Sequence, residues 1–252
     1  MNRLIILQHL EIEGPGLFSK IAQERGISIK VVRLDLNQIP PRPRNKDIVL
    51  ILGGPMSIKD ISKRKYPWLE KEVKYIKSLL KEGIGTIGVC LGAQLLAYAA
   101  GGDVEKLLGD NPRRFSPEIG WSTIDSKSHN SSDDLCSYLK NPMLVLHWHE
   151  DRILLPSEAE LIASSDMCKE QLFKLNDKAY GLQFHAEIEE GMIINWINNS
   201  KDLIFSALGS EGEKLLKSQT RECTKLDLSK RVIFINKLMD LVTRNKKTPN
   251  II

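Results

Sequence analysis

A thiol between two glycines is the first residue here whose placement suggests chemistry. Cys90 stands in Gly88-Val89-Cys90-Leu91-Gly92, where the strand-like run Thr86 to Val89 gives way to the helix-forming run Leu95-Leu96-Ala97. The spacing is that of G-x-S-x-G with sulfur in place of oxygen, a sharp strand-to-helix turn that lifts a nucleophile over the end of a sheet. Glycines two residues before and after remove side chains that such a turn would drive into one another. The adjoining helix N-terminus carries partial positive charge and favours thiolate over thiol. Taken alone, the pattern suits a buried structural cysteine equally well.

A thiolate nucleophile needs a base, and the base needs an acceptor that fixes its tautomer. Of the five histidines, His129 falls in the polar loop Ser126-Lys127-Ser128-His129-Asn130, and His9 follows the first apolar run. His185 differs, because it ends the run Gly181-Leu182-Gln183-Phe184 and has Glu187 two residues on. Alternation along a strand predicts that the two side chains share a face, with the carboxylate holding the imidazole. Beside a cysteine turn, this pair makes Cys90, His185 and Glu187 the expected triad. Acyl transfer also requires amide donors aimed at the developing oxyanion. Gly53-Gly54-Pro55 ends the apolar run Ile48 to Leu52, and if that strand neighbours the Cys90 strand its end faces the thiol. Pro55 has no N–H, so Gly54 is the expected donor, acting with the amide of Leu91.

His147-Trp148-His149 puts two histidines on one face of a strand, a spacing that can ligate a metal. No third ligand is spaced nearby and the cysteines lie elsewhere, so the expectation is an aromatic strand end bordering a pocket, without metal or cofactor. Gly83-Ile84-Gly85-Thr86-Ile87-Gly88 matches G-x-G-x-x-G, but its glycines precede and interrupt a strand rather than open a helix. No pyrophosphate site is expected there.

Positioning these groups takes a sheet. Leu4 to Leu7, Ile29 to Val32, Asp47 to Leu52 and Gly85 to Val89 read as strands, and Gly16 to Glu24 as a helix. Leu69, Val73, Ile76 and Leu80 share one face of a second helix. The βαβα order predicts an α/β fold with an open, mostly parallel central sheet and helices on both faces, flavodoxin-like. Past Gly102, short strands at Trp121 to Ile124, Met143 to Trp148, Leu161 to Ala163, Gln171 to Leu175 and Ala179 to Phe184 predict a smaller antiparallel region, with Asn176-Asp177-Lys178 as a hairpin turn. Helices follow at Ile188 to Ile197 and near the end, where Val232, Ile235, Leu238, Met239 and Val242 share a face. The expected organisation is a main unit over residues 1–200, a helical extension over 201–245 packed on it, and a frayed tail over 246–252. Pro40-Pro41-Arg42-Pro43-Arg44 reads as a surface connection.

The totals exclude several classes. Basic and acidic residues, 36 and 32 of them, are interspersed to a formal charge of +4, so no basic stretch asks for nucleic acid. Gly83 to Gly102 carries no charge over a length able to span a membrane. Its apolar residues change from β-branched to helix-forming halfway, which predicts strand, turn and helix instead of a membrane span. Cys90, Cys136, Cys168 and Cys223 are far apart, and the N-terminus lacks a leader pattern, so a reducing cytoplasm is expected.

With the glycine loop, cysteine turn and His-x-Glu in this order, the chain resembles the class I glutamine amidotransferases, over roughly Leu4 to Trp196. Leu52-Gly53-Gly54-Pro55-Met56-Ser57, Gly88-Val89-Cys90-Leu91-Gly92-Ala93-Gln94, Glu118-Ile119-Gly120-Trp121 and Gly181-Leu182-Gln183-Phe184-His185-Ala186-Glu187 look most like the GMP-synthase-type branch. The resemblance implies Cys90 as nucleophile, His185 as base and then acid, and Glu187 as its orienter. It further implies Gln94, with Gly53, as substrate contacts, and a segment Trp148-His149-Glu150-Asp151 beside the glutamine pocket. Three departures stand out. Ala186 replaces a usual proline, Glu150 replaces a common glycine, and nothing after Trp196 resembles the ATP-pyrophosphatase domain of GMP synthases. The implied activity is hydrolysis of the glutamine side-chain amide, with ammonia passed to a separate synthetase. A γ-glutamyl peptidase acting on γ-glutamyl conjugates is the alternative, and a non-catalytic regulatory protein of this fold is a second.

Overall fold

The computed structural model describes residues 2–108, 115–126 and 131–244, so His129 and the tail from Lys246 lie outside the described residues. The first half contains β1 (Arg3–Gln8), α1 (Leu17–Glu24), β2 (Ser28–Arg33), β3 (Ile48–Ile51), α2 (Leu69–Glu82), β4 (Gly85–Val89) and α3 (Leu91–Ala99). Then come β5 (Asp103–Lys106), β6 (Glu118–Ile124), α4 (Asp134–Tyr138), β7 (Met143–His149), β8 (Asp151–Leu154), β9 (Glu160–Ala163), β10 (Leu172–Asn176) and β11 (Ala179–Leu182). Helices α5 (Glu190–Asn199), α6 (Lys201–Leu208), α7 (Gly212–Cys223) and α8 (Leu228–Thr243) follow.

Seven strands form the central sheet in the order β2-β1-β3-β4-β11-β10-β9. The five from β2 to β11 run parallel, and β10 and β9 add antiparallel pairs. Strict alternation divides its side chains between two apolar layers. Leu4 and Ile6 of β1 and Ile48 and Leu50 of β3 pack with Phe18 and Ile21 of α1 and Phe234 and Leu238 of α8. Ile5, Leu7, Val49 and Ile51 pack on the other face with Leu69, Val73 and Ile76 of α2 and Leu95 of α3. Both faces are covered, so these strands read as unbroken apolar runs. Each fully buried Leu, Ile or Phe contributes roughly 1.5–3 kcal/mol of transfer free energy.

The charge-free stretch is β4, a turn and α3, and residues 84–97 are all buried. Among the described residues, no helix is long and apolar enough to cross a membrane. Two antiparallel ribbons, β6–β7 and β5–β8, stand apart from the main sheet. Helices α5, α6 and α7 bury Trp196, Ile204 and Leu216 against Ile119 of β6 and Leu146 of β7. The chain then returns through α8 to the central sheet.

One expectation is corrected here. Strand β11 stops at Leu182 rather than Phe184, so His185 and Glu187 are not on a strand face. Its neighbour β4 ends where the Cys90 turn begins, and the Cys90 N–H takes the Leu182 carbonyl at 2.7 Å. Beyond that point the chain leaves the sheet for the ribbon. His185 N–H donates to Leu146 O at 2.9 Å, and Leu146 N–H returns a bond to His185 O at 3.4 Å.

Candidate active site

Cys90 joins β4 to α3 with φ 51° and ψ −109°, a left-handed backbone that a non-glycine residue adopts at a cost of about 1–3 kcal/mol. The flanking glycines make the turn possible. A Cβ on Gly88 would lie 2.4 Å from Gly92 O, and one on Gly92 would lie 2.1 Å from Ile51 O. The thiol itself is nearly buried, 3.8 Å from Trp148 O.

His185 reaches the same place from the segment after β11. Its Nδ1 lies 2.7 Å from Glu187 Oε1, as donor to the carboxylate, and Trp196 packs edge-on against the ring at 4.8 Å between centroids. Burial alone would depress this imidazole, but the Glu187 carboxylate and the Cys90 thiol outweigh it and raise it to about 10. The pairing expected from strand alternation is therefore made by a loop. Two elements hold that loop in place. Leu17 N–H at the start of α1 donates to Glu187 O at 2.9 Å. Arg231 of α8, fully buried, donates to Ala186 O at 3.2 Å and Ile188 O at 2.9 Å, and also to Thr224 O. Ala186 itself is buried in the apolar layer.

The glycine loop is set by a histidine that sequence spacing did not single out. His9 is buried, stacks on Trp68 at 5.2 Å, and places Nδ1 2.8 Å from Gly53 O and Nε2 3.0 Å from Glu72 Oε1. Both ring nitrogens face acceptors, so both carry protons. Burial opposes that charge, and Glu72 outweighs it, holding His9 above its ordinary value. Because a trans peptide points its C=O and N–H in opposite directions, fixing Gly53 O toward His9 directs the Gly54 N–H away from it. No described residue accepts a bond from that N–H. Leu91 N–H is among the first-turn donors of α3 that lack an intrahelical partner.

A cavity of about 160 Å³ opens over these groups, and Cys90, His185, Gly54 and Gln94 line it, with Trp148, His149, Glu150 and Asp151 on another wall. Gln94 Nε2 donates to Gln183 Oε1 at 3.2 Å, which fixes its amide at the wall. Gly53, Leu91 and Glu187 do not line it. Glu13, which the sequence reading also passed over, enters the cavity from the β1–α1 connection. Burial raises its carboxyl above the ordinary range, with His185 and His9 pulling the other way.

The expectation that His147 and His149 lack a third ligand is corrected by the ribbon register. Antiparallel pairing sets Glu118 opposite His149, and side-chain atoms of Glu118, His147 and His149 lie within 4.8 Å of one another, all buried. A transition metal could be held there by donor type. Part of the cluster bonds within itself: His149 Nε2 is 2.9 Å from Glu118 Oε2, and Gln171 Nε2 donates to the same oxygen at 2.7 Å, while neither His147 ring nitrogen nor Glu118 Oε1 makes a hydrogen bond within the cluster. His149 Nδ1 is satisfied by Asp151 O at 3.0 Å. Burial pushes His147 down to about 4, which keeps it neutral.

Sheet order, a cysteine at the strand-to-helix turn and a buried histidine–carboxylate pair define an α/β protein with a candidate site at the carboxyl ends of parallel strands. The family described as glutamine amidotransferase class-I matches residues 18–195, and the chain belongs to it. It is 26% identical over 212 residues to the glutamine amidotransferase-like protein YfeJ of Salmonella typhimurium, covering 82% of this chain and 84% of that protein. It is 27% identical over 194 residues to the glutamine-hydrolyzing GMP synthase of Pectobacterium atrosepticum, covering 74% of this chain but only 34% of that enzyme. In structure it is similar to a glutamine amidotransferase from Thermotoga maritima, with a TM-score of 0.80, 27% identity, and coverage of 96% of this chain and 98% of the other.

Proposed function

We propose that this chain hydrolyses the side-chain amide of glutamine through a covalent γ-glutamyl thioester on Cys90. The observation that carries the reading is the meeting of three groups from separate elements in one cavity: a thiol on a strained turn, an imidazole held at 2.7 Å by a buried carboxylate, and unbonded amides beside them. The Cys90 sulfur attacks the amide carbon, and the Gly54 and Leu91 N–H groups take the oxyanion. Protonated His185 gives its proton to the departing nitrogen as the C–N bond breaks. It then accepts a proton from the water that cleaves the thioester to glutamate. Glu187 fixes the tautomer and supports the imidazolium. Gln94 and the Gly53 region hold the amino-acid end of the substrate.

Ammonia released here serves a separate synthetase. The likeness to a glutamine-hydrolyzing GMP synthase supports coupling to such an acceptor step. A cytoplasmic setting agrees with four free cysteines.

The test combines turnover with trapping. Purified protein incubated with glutamine is expected to release ammonia, and a glutamine-mimicking electrophile is expected to label Cys90 alone, with labelling lost in Cys90→Ala. An unmodified Cys90, with and without cell lysate supplying a partner, would overturn the reading.

A further inference from the structure

The cavity extends past Cys90 on the His185 side, where Ile12, Glu13, Trp196, Ser200 and Leu203 form its wall. A leaving nitrogen must approach His185 to take its proton, so whatever that nitrogen carries meets this wall. Trp196 stands edge-on to His185, and its Nε1 donates to Ile12 O at 3.2 Å, tying α5 to the connection that bears Glu13. A methyl group placed on Gly53 would lie 2.7 Å from Glu13 Oε2, 3.4 Å from His185 Cε1 and 3.5 Å from Cys90 Cβ. Carboxylate, imidazole and thiol-bearing carbon thus converge on one point.

Glu13 has no work in the steps above. Among the described residues its carboxylate makes no hydrogen bond or salt bridge, the only cationic charges it faces are the imidazoles of His185 and His9, and no lysine or arginine lines the cavity. A half-buried carboxylate that lacks a hydrogen-bonded partner costs free energy that a cation docking directly on it recovers. Ammonia as leaving group would leave this wall untouched.

We propose that Glu13 forms a leaving-group subsite that selects γ-glutamyl amides of short diamines, in which the departing amine carries a second, positively charged nitrogen. This inference rests on the thioester chemistry proposed above and adds its leaving-group class. The amide C–N bond breaks as the S–C bond forms, His185 protonates the departing nitrogen, and water returns Cys90 and glutamate. Glu13 moves no proton; it pairs with the distal ammonium. Amino-acid and peptide leaving groups fare worse, because their carboxylate would meet that of Glu13.

Three isosteric probes separate the cases: γ-glutamyl conjugates of 1,3-diaminopropane, butylamine and β-alanine. Binding is measured by calorimetry on Cys90→Ala, which needs no turnover, and kcat/KM is measured on the unaltered protein. The expected order is cationic, neutral, anionic, with at least about ten-fold between the first two, as for a charge-assisted contact. Glu13→Gln should collapse that ratio, and Glu13→Lys should invert the order of cationic and anionic probes; ratios cancel any general damage. Equal binding of all three probes, or an order unchanged in both variants, overturns the subsite while leaving the thioester reading intact. Binding of none of them also overturns the subsite, while glutamine turnover and Cys90 labelling decide the thioester reading separately.

Discussion

At the scale of single residues, the proposed chemistry depends on protons placed where burial alone would forbid them. His9 is the clearest case, a fully buried imidazole bonded to a carbonyl and a carboxylate at once. In the proposed reaction it touches no reacting atom and acts by fixing the Gly53 carbonyl, hence the direction of the Gly54 amide. Glu72→Gln removes the charge that keeps both nitrogens protonated and frees the peptide to turn. The expected result is a fall in kcat of roughly 10²-fold, the size of a lost oxyanion donor, with a much smaller change in KM. Steady-state kinetics on glutamine check it, and an unchanged kcat would remove His9 from the mechanism. These residues also mark what the sequence could and could not tell. Cys90, and His185 with Glu187, were legible because each sits in a short motif whose parts lie within a few positions. His9 and Glu72 are 63 positions apart and meet only because α2 packs on the face of the sheet that carries Ile5 and Leu7 of β1, so no local spacing announces them. Glu118 escaped for the same reason, since only the β6–β7 register brings it to His149.

At the scale of elements, the parallel strands were readable because a strand covered on both faces becomes a continuous apolar run. The segment carrying His185 was misread because its run continues past Leu182 after the pairing has moved from the sheet to the ribbon. What fixes that segment is a helix more than forty positions later in the chain. Arg231 spends its charge on carbonyls at Ala186 and Ile188, so α8 sets the height of His185 and Glu187 above the sheet. Arg231→Met keeps most of the volume and removes every donor. Each carbonyl left buried without a partner costs about 1–3 kcal/mol, so the urea midpoint should fall clearly. Activity measured well below that midpoint should fall as well, because the loop is freed while the fold survives. A variant that loses stability yet keeps full kcat would show that Leu17 and the β7 bridge hold the loop unaided.

At the scale of the whole molecule, the buried histidines shape how stability varies with pH. His185 is raised from 6.5 to about 10, and His9 is raised as well, so the folded chain holds more protons than the unfolded chain above pH 6.5. Their stabilisation is complete below 6.5 and is lost as pH climbs toward 10. His147 is lowered from 6.5 to about 4, so between those values the unfolded chain holds the extra proton and stability falls as pH drops. Carboxylates held low by their partners, Asp47 and Asp60 among them, add losses only at still lower pH, below about 4. The two histidine limbs therefore start from the same pH and run in opposite directions, and maximal stability should lie near pH 6.5. Each titrating group contributes a slope of at most about 1.4 kcal/mol per pH unit. Urea unfolding measured from pH 5 to pH 9.5 should give that peak. His147→Gln should flatten the acid limb alone, and Glu187→Gln, by removing the charge that holds the His185 proton, should shallow the alkaline limb alone. A wild-type profile that stays flat from pH 6.5 to 9 would mean that the folded protein does not hold His185 as an imidazolium. The protonated acid that the leaving nitrogen requires would then have to come from another group.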